Sequence, residues 1–266
     1  MDELRQKAAE LLQSGEVQMM IGYEKGTKRP RPCFISSPED AARLIFDEHC
    51  TGNLAVYLTR KDLIGGQKIA ITASYFALRS ILRLLAENQL QPDKIIVLTI
   101  SAENELIQFA TTDDITAYLK NASVPPREDD KALIEKINAM PLEERWEFWT
   151  DELSKCFKCY ACRAACPMCY CTKCIVEENR PQWIQPWTST LANIEWHINR
   201  AMHMTGRCAD CGACGMACPL GLPIHLLSHQ IVAEVEANFG MDANATVSGD
   251  NALSTYKPED KESFIR

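Results

Sequence analysis

The sequence predicts an α/β domain followed by a mostly α-helical domain. Strand-like and helical segments alternate through the first 120 residues, which is the pattern expected of βαβ units. Beyond residue 130 the strand-like runs stop and apolar residues keep helical spacing. We therefore divide the chain into an α/β domain at 1–121, a linker at 122–130, a helical domain at 131–239 and a polar tail at 240–266.

The α/β domain opens with an amphipathic helix in residues 1–15, and a short apolar run follows at 17–21. Ser37 is a suitable N-cap and Pro38 a suitable first helical residue, so a helix is predicted over 38–48. An apolar run, a strand, a helix and a second strand then follow in order: 54–58, 68–72, 75–86 and 94–100. The last three segments predict a βαβ unit.

The helical domain follows a segment with two prolines and a run of charges, NASVPPREDD at 121–130. Two helices are predicted at 131–139 and 142–155, Thr188 or Ser189 can cap a third, and a fourth follows the last cysteine. Apolar residues keep helical spacing in the last two helices: Leu191, Ile194, Ile198 and Met202, then Ile224, Leu227, Ile231 and Val235. We interpret four aromatic residues near the first cysteines as core packing: Trp146, Phe148, Trp149 and Phe157.

Eight of the 13 cysteines stand in two near-copies of one string, C-x2-C-x2-C-x3-C-P. This spacing is the bacterial-type ligand run for cubane iron–sulfur clusters, in which the fourth cysteine ligates the other cluster. The predicted ligand sets are therefore crossed, because each takes its fourth cysteine from the other string. One 4Fe-4S cluster is assigned to Cys156, Cys159, Cys162 and Cys218, and the second to Cys208, Cys211, Cys214 and Cys166.

Zinc and disulfides explain these eight cysteines less well. Structural zinc uses separated C-x2-C pairs and needs neither the third cysteine nor the C-P ending. The first residues, MDELRQKAAELLQSG, are acidic and amphipathic and do not resemble a signal sequence. We therefore expect a cytoplasmic, reducing location, where disulfides are rare, and the oxygen sensitivity of exposed cubanes suggests an anaerobic host as a hypothesis.

The composition is that of a globular protein with a core, since apolar residues make up 46% and charged residues 24% of the chain. No run of about 18 apolar residues occurs, so no membrane span is predicted. The net charge of −8 argues against a nucleic-acid partner, because phosphate binding needs clustered cations.

A third metal site is predicted from three further cysteines within six residues, Cys169, Cys171 and Cys174. A fourth ligand would come from the α/β domain, with Cys50 preferred over Cys33 because Cys50 ends a predicted helix before the Gly52 turn. The site could hold 4Fe-4S or zinc, and the alternative is a group of reduced thiols without metal.

Two weaker features have plainer interpretations. His225 and His229 have the i, i+4 spacing of a metal-binding pair, but no third ligand lies nearby in the sequence, so we interpret them as an ordinary helical pair. A basic loop could grip an anionic cofactor or partner, and we interpret it as a solvated loop: Lys25, Lys28, Arg29 and Arg31.

Several segments carry a family resemblance. They are PLEERWEFWTDELSKCFKCYACRAACPMCYCTKC at 141–174, NLAVYL at 53–58 and HINRAMHMTGRCADCGACGMACPLGLPIHLL at 197–227. They resemble iron–sulfur subunits related to the β subunit of deazaflavin-coenzyme-reducing hydrogenases and formate dehydrogenases, and residues 68–100 resemble that family's βαβ unit. The helices around the cysteine strings also resemble the α-helical ferredoxin domain of heterodisulfide reductase and succinate dehydrogenase iron–sulfur subunits.

The resemblance implies an α/β N-terminal domain followed by a mostly α-helical dicluster ferredoxin domain. It also implies a subunit of an anaerobic complex with a hydrogenase, formate dehydrogenase or heterodisulfide-reductase-like partner. Full-length relatives bind a flavin and reduce the deazaflavin coenzyme. In this chain Ala73-Ser74-Tyr75 stands where a cysteine-containing turn is expected, so a flavin is not expected here.

We therefore expect an electron-transfer subunit that relays electrons through two 4Fe-4S clusters, or three if the third site is filled, without a substrate site or catalytic residue of its own. The alternative is a flavin-dependent β subunit that exchanges hydride with a deazaflavin or nicotinamide coenzyme. A further alternative is an interaction scaffold in which the clusters are purely structural.

Overall fold

The computed structural model describes residues 1–125, 127–174, 176 and 181–239. The strands are β1 Met19–Glu24, β2 Arg31–Ile35, β3 Leu44–Ile45, β4 Ile69–Thr72, β5 Ile95–Ile100 and β6 Leu106–Phe109. The helices are α1 Asp2–Gln13, α2 Lys61–Ile64, α3 Tyr75–Ala86, α4 Thr112–Asn121, α5 Glu128–Ala139, α6 Leu142–Ser154, α7 Ala161–Ala164, α8 Thr190–His203, α9 Ala213–Met216 and α10 Ile224–Phe239.

The strands form one mixed sheet in the order β2-β1-β4-β5-β6, with β3 beside β1. β4 is parallel to both β1 and β5, while the outer pairings are antiparallel. α3 connects the parallel strands β4 and β5, so the predicted strand–helix–strand unit is present. Its apolar face is fully buried, because Leu78, Ile81 and Leu82 pack in one cluster with β4 and β5 residues such as Ile71 and Val97. Burial of such side chains contributes about 1.5–3 kcal/mol each.

The helix predicted over 38–48 is wrong. A short 3-10 helix covers Pro38–Arg43, and the chain then becomes β3. The reason is tertiary: Leu44 is fully buried and pairs with Glu24 of β1, and Arg43 binds the Glu24 carboxylate at 2.6 Å. Pairing with the sheet therefore outweighs the local preference for a longer helix.

The helices after the sheet follow the predicted segments closely. α5 begins three residues earlier than predicted, inside the segment assigned to the linker, and α6 ends one residue earlier. The domain boundaries themselves stay predictions. The predicted polar tail at 240–266 lies outside the described residues.

α8 turns a different face inward from the one its apolar spacing suggested. Ser189 caps it as predicted, accepting a hydrogen bond from the Ala192 N–H at 3.3 Å. Ile194 is buried, but the other apolar residues of the predicted face are exposed: Leu191, Ile198 and Met202. The opposite face buries polar side chains instead: Asn193, His197 and Arg200.

The aromatic residues near the first cysteines divide between core and surface. Trp149 packs against the core of the helical region, in T-shaped contact with Phe148. Trp146 and Phe157 are more than half exposed, so core packing was the wrong interpretation for these two. Among the described helices, none combines the length and apolar character that crossing a membrane requires.

Candidate metal centre

The two cysteine strings share one backbone conformation. Lys158 and Asp210, each two residues after the first cysteine of its string, have φ of 55° and 53°. Each donates its backbone N–H to the sulfur of that cysteine, Cys156 or Cys208, at 3.3 Å. The left-handed conformation recurs two residues later, and α7 and α9 begin at equivalent positions immediately after it. The sequence repeat is therefore also a structural repeat.

The fourth cysteine of the first string, Cys166, lies with the second string. It lines a small cavity of about 20 Å³ together with three other cysteines: Cys208, Cys211 and Cys214. Burial raises the pKa of each of these three thiols, and negative charge on Cys166 raises them further. For Cys214 the result is a pKa of about 11, although the positive charge of Arg200 opposes the shift.

The fourth cysteine of the second string, Cys218, lies with the first. Burial raises the pKa of Cys156, and the neighbouring charges of Cys159 and Cys218 add to the shift. Burial also raises the pKa of Cys162 to about 12, and Cys156 is again one of the charges nearby. Cys166 therefore lies near the second string and Cys218 near Cys156, while the two crossed ligand sets stay a prediction.

The donor chemistry of these sets fits iron–sulfur clusters. All 13 cysteines are free thiols, so no disulfide competes for the sulfurs. Four cysteine thiolates are the ordinary ligand set of a 4Fe-4S cluster. Within the described part of the chain, no three His, Cys, Asp or Glu side chains are gathered as the ligands of one metal ion. The assignment of clusters to the two sets stays a prediction.

The residues of the third predicted site are spread over several environments. Hydrogen bonding between the Cys166 and Cys169 side chains lowers the pKa of Cys166 and raises that of Cys169. Cys174 lies close enough to raise the pKa of Cys169 further by electrostatic repulsion, and Cys171 is exposed. Cys50 is buried and bonds within its own loop, donating to the Asp47 carboxylate at 3.5 Å.

Cys33, the less preferred fourth ligand, is buried on β2 in the core cluster that includes α1, apart from the cluster that contains Cys50. The third site also stays a prediction.

Polar side chains on α8 border the cysteine sets, and sequence reasoning missed them. The Asn193 amide donates to three main-chain carbonyls, those of Leu153, Ser154 and Cys156, the closest at 2.7 Å. It therefore ties the end of α6 and the first cysteine to α8. With His197 and Arg200 it has i, i+4, i+7 spacing, which is a signal the sequence did contain.

The two histidines of α10 each pair with a carboxylate, which supports their interpretation as an ordinary helical pair. His225 bonds Asp130 at 2.9 Å, and His229 bonds Asp210 at 3.0 Å. The bond from Asp210 raises the pKa of His229. The His225 ring fills the space beside Gly215, where a Cβ atom would lie only 2.1 Å from the ring. Any side chain at position 215 would therefore displace His225.

A large cleft opens between the sheet and the cysteine region, and sequence reasoning missed it. Its volume is about 1460 Å³, and it is bordered by Cys166 and Cys169 on one side and by the loops after β3 and α3 on the other. Among the described residues, five cations line it: Arg29, Arg60, Lys61, Lys94 and Arg163. Asp62, the acidic residue of the lining, pairs with Arg60 at 2.8 Å.

Two arginines of the basic loop predicted from the sequence have different surroundings. Arg29 borders this cleft, whereas Arg31 binds Glu24 at 2.9 Å.

The fold and site define a class of protein that combines a mixed sheet with a helical region, and the helical region carries two repeated cysteine strings. No protein-family model matches the chain. Over 112 residues, 41% of the chain, it is 30% identical to the F420-dependent formate dehydrogenase subunit beta of Methanocaldococcus jannaschii. The matched part spans 29% of that relative's length. This partial match supports relatedness to that family of subunits.

Proposed function

We propose that the chain is an electron-transfer subunit of a multi-subunit oxidoreductase and that it holds two 4Fe-4S clusters. The observation that carries the proposal is the exchange of fourth cysteines, with Cys166 beside the second string and Cys218 beside the first. When bound, such clusters accept and donate single electrons over a wide range of potentials. No acid, base or nucleophile of the chain is required for this function.

The chain's own residues prepare each set of thiols for this role. The backbone N–H groups of Lys158 and Asp210 donate to cysteine sulfurs and so favour their negative, metal-binding form. Cys162 and Cys214 are buried, which keeps water from the inner side of each set.

A protein partner is part of the proposal: a hydrogenase, a formate dehydrogenase or a heterodisulfide-reductase-like protein. The relative's description as a formate dehydrogenase subunit supports it. Apolar side chains exposed on α8, such as Leu191 and Met202, also support it.

Iron and acid-labile sulfide per chain, measured after anaerobic purification, test the proposal most directly. Two filled sets give about eight irons, and a filled third site gives about twelve. As a matched control, Cys171→Ser replaces an exposed cysteine outside both sets and should leave two-cluster iron content unchanged. About four irons in the wild-type protein would contradict the two-cluster assignment.

Two double variants test the crossed assignment itself. Cys166→Ser with Cys208→Ser removes two ligands from one proposed set, so about four irons should remain. Cys218→Ser with Cys208→Ser removes one ligand from each set, so both clusters should be weakened or lost. If the sets instead followed the sequence order, the outcomes of the two double variants would be exchanged.

A second candidate function is supported by the cleft. Its cationic lining suits an anionic, phosphate-bearing cofactor, and its border at Cys166 would hold that cofactor beside the second set of thiols. The chain would then be a flavin-dependent β subunit that reduces a deazaflavin or nicotinamide coenzyme. Flavin measured in the same anaerobic preparation separates the two candidates, since the first predicts none and the second about one per chain.

Lys94→Gln removes a cation that lines this cleft, and Lys131→Gln removes one from α5, which does not line it. If the second candidate is right, the first variant should retain less flavin than the second. Equal flavin content in the two variants would argue against the cleft as the binding site.

A further inference from the structure

Arg200 of α8 is a buried cation beside the cysteine sets. Only 6% of the residue is exposed, and it lines the small cavity that Cys166, Cys208, Cys211 and Cys214 share. Its guanidinium also donates to the carbonyl of Cys162, in the other set, at 3.3 Å. Arg200 therefore reaches both sets of thiols from a single position.

The surroundings of Arg200 are unusual for a buried arginine. Within the described residues no carboxylate pairs with it, and its Nε–H is buried without an acceptor. The other cation close to this face, Lys158, is turned to the carbonyls of Gln185 and Trp187. Arg200 therefore lines the cavity of four cysteines without a carboxylate partner among the described residues.

We propose that Arg200 is a shared positioning residue whose fixed positive charge makes the clusters of both sets easier to reduce. The role rests on the proposed function. A cluster gains negative charge on reduction, and a nearby buried cation stabilises that form, because charges interact strongly away from water. The buried Nε–H without an acceptor would be available to donate to a sulfur of a bound cluster.

Three variants of the full chain, loaded anaerobically, separate charge from packing. Arg200→Gln removes the buried charge, and Arg200→Lys retains it. Arg163→Gln is the matched control, since it removes a guanidinium that lies within the first string, is more exposed than that of Arg200 and bonds the Cys171 carbonyl. The readouts are iron per chain and the reduction potentials of both clusters. The potentials are measured in a redox titration monitored by electron paramagnetic resonance.

In Arg200→Gln we expect both clusters to become at least tenfold harder to reduce, which corresponds to about 59 mV for a one-electron couple. Arg200→Lys should stay close to wild type, and Arg163→Gln should shift less than Arg200→Gln because solvent screens its charge. If Arg200→Gln loses iron while Arg200→Lys keeps it, the charge is needed to retain the clusters and not to set their potentials, which contradicts the role.

Full iron with unchanged potentials in Arg200→Gln would overturn the role while leaving the proposed function intact. A shift in only one cluster, or an equal shift in Arg163→Gln, would also overturn the shared role of the buried charge. Loss of iron in both Arg200 variants would show that the residue acts through packing, against the proposal. Wild-type protein without iron would overturn the proposed function, and this role with it.

Discussion

α3 and α8 are helices of similar length whose buried faces differ in kind. α3 packs Leu78, Ile81 and Leu82 into the core beside the sheet, as its apolar spacing predicts. α8 buries polar side chains, including Asn193 and Arg200, and leaves much of its apolar stripe exposed. Helical spacing therefore locates both helices, but the partner against which a helix packs decides which face is buried. A polar face turned inward marks the candidate site.

The largest expected effect concerns the apolar buried face of α3. Leu78→Ala in α3 removes a fully buried side chain and leaves a cavity, so the free energy of unfolding should fall by about 2–5 kcal/mol. Urea denaturation under anaerobic conditions measures this change. A loss below about 1 kcal/mol would mean that α3 is not the packed core helix described above.

The second effect concerns pH and the buried polar face of α8. Burial, together with the charges of Arg200 and Lys158, lowers the pKa of His197 to about 4, from its ordinary value of 6.5. The unfolded chain therefore binds a proton at pH 5 that the folded chain does not, and stability falls as pH falls below 6.5. Between pH 7 and 5, wild type should lose about 2 kcal/mol more than His197→Leu. Equal losses in both proteins would show that His197 is not held neutral.

A third prediction concerns the link between α8 and the first cysteine. Asn193→Ala removes the amide that donates to three carbonyls at the end of α6, so unfolding should become about 1 to 2 kcal/mol easier. The same variant should also lower iron occupancy of the first set more than of the second. Matched iron loss from both sets would show that Asn193 has no specific role at Cys156.

The smallest expected effect concerns the exposed apolar face of α8. Leu191→Ser changes an exposed apolar residue of α8, so stability should change by less than about 0.5 kcal/mol. A loss comparable with that of Leu78→Ala would show that the stripe of α8 is packed after all.

The parts of the molecule that follow local rules could be predicted from the sequence. The bounds of α3 follow from its apolar spacing, and the cysteine strings are recognised by residue type and spacing alone. The 38–48 helix could not be predicted correctly, because Leu44 pairs with a strand distant in sequence. The cleft was not predictable for a related reason, since Arg29, Lys94 and Arg163 meet only when the whole chain is folded.

The position of Cys166 beside the second string has a consequence for how the protein matures. A ribosome makes the chain from its N-terminus, so the first string emerges well before Cys208. Neither of the two proposed ligand sets is complete at that stage, because one lacks Cys218 and the other lacks the cysteines of the second string. If these sets bind metal as proposed, loading would follow synthesis as far as Cys218, and a product truncated before Cys208 would carry thiols without a finished site.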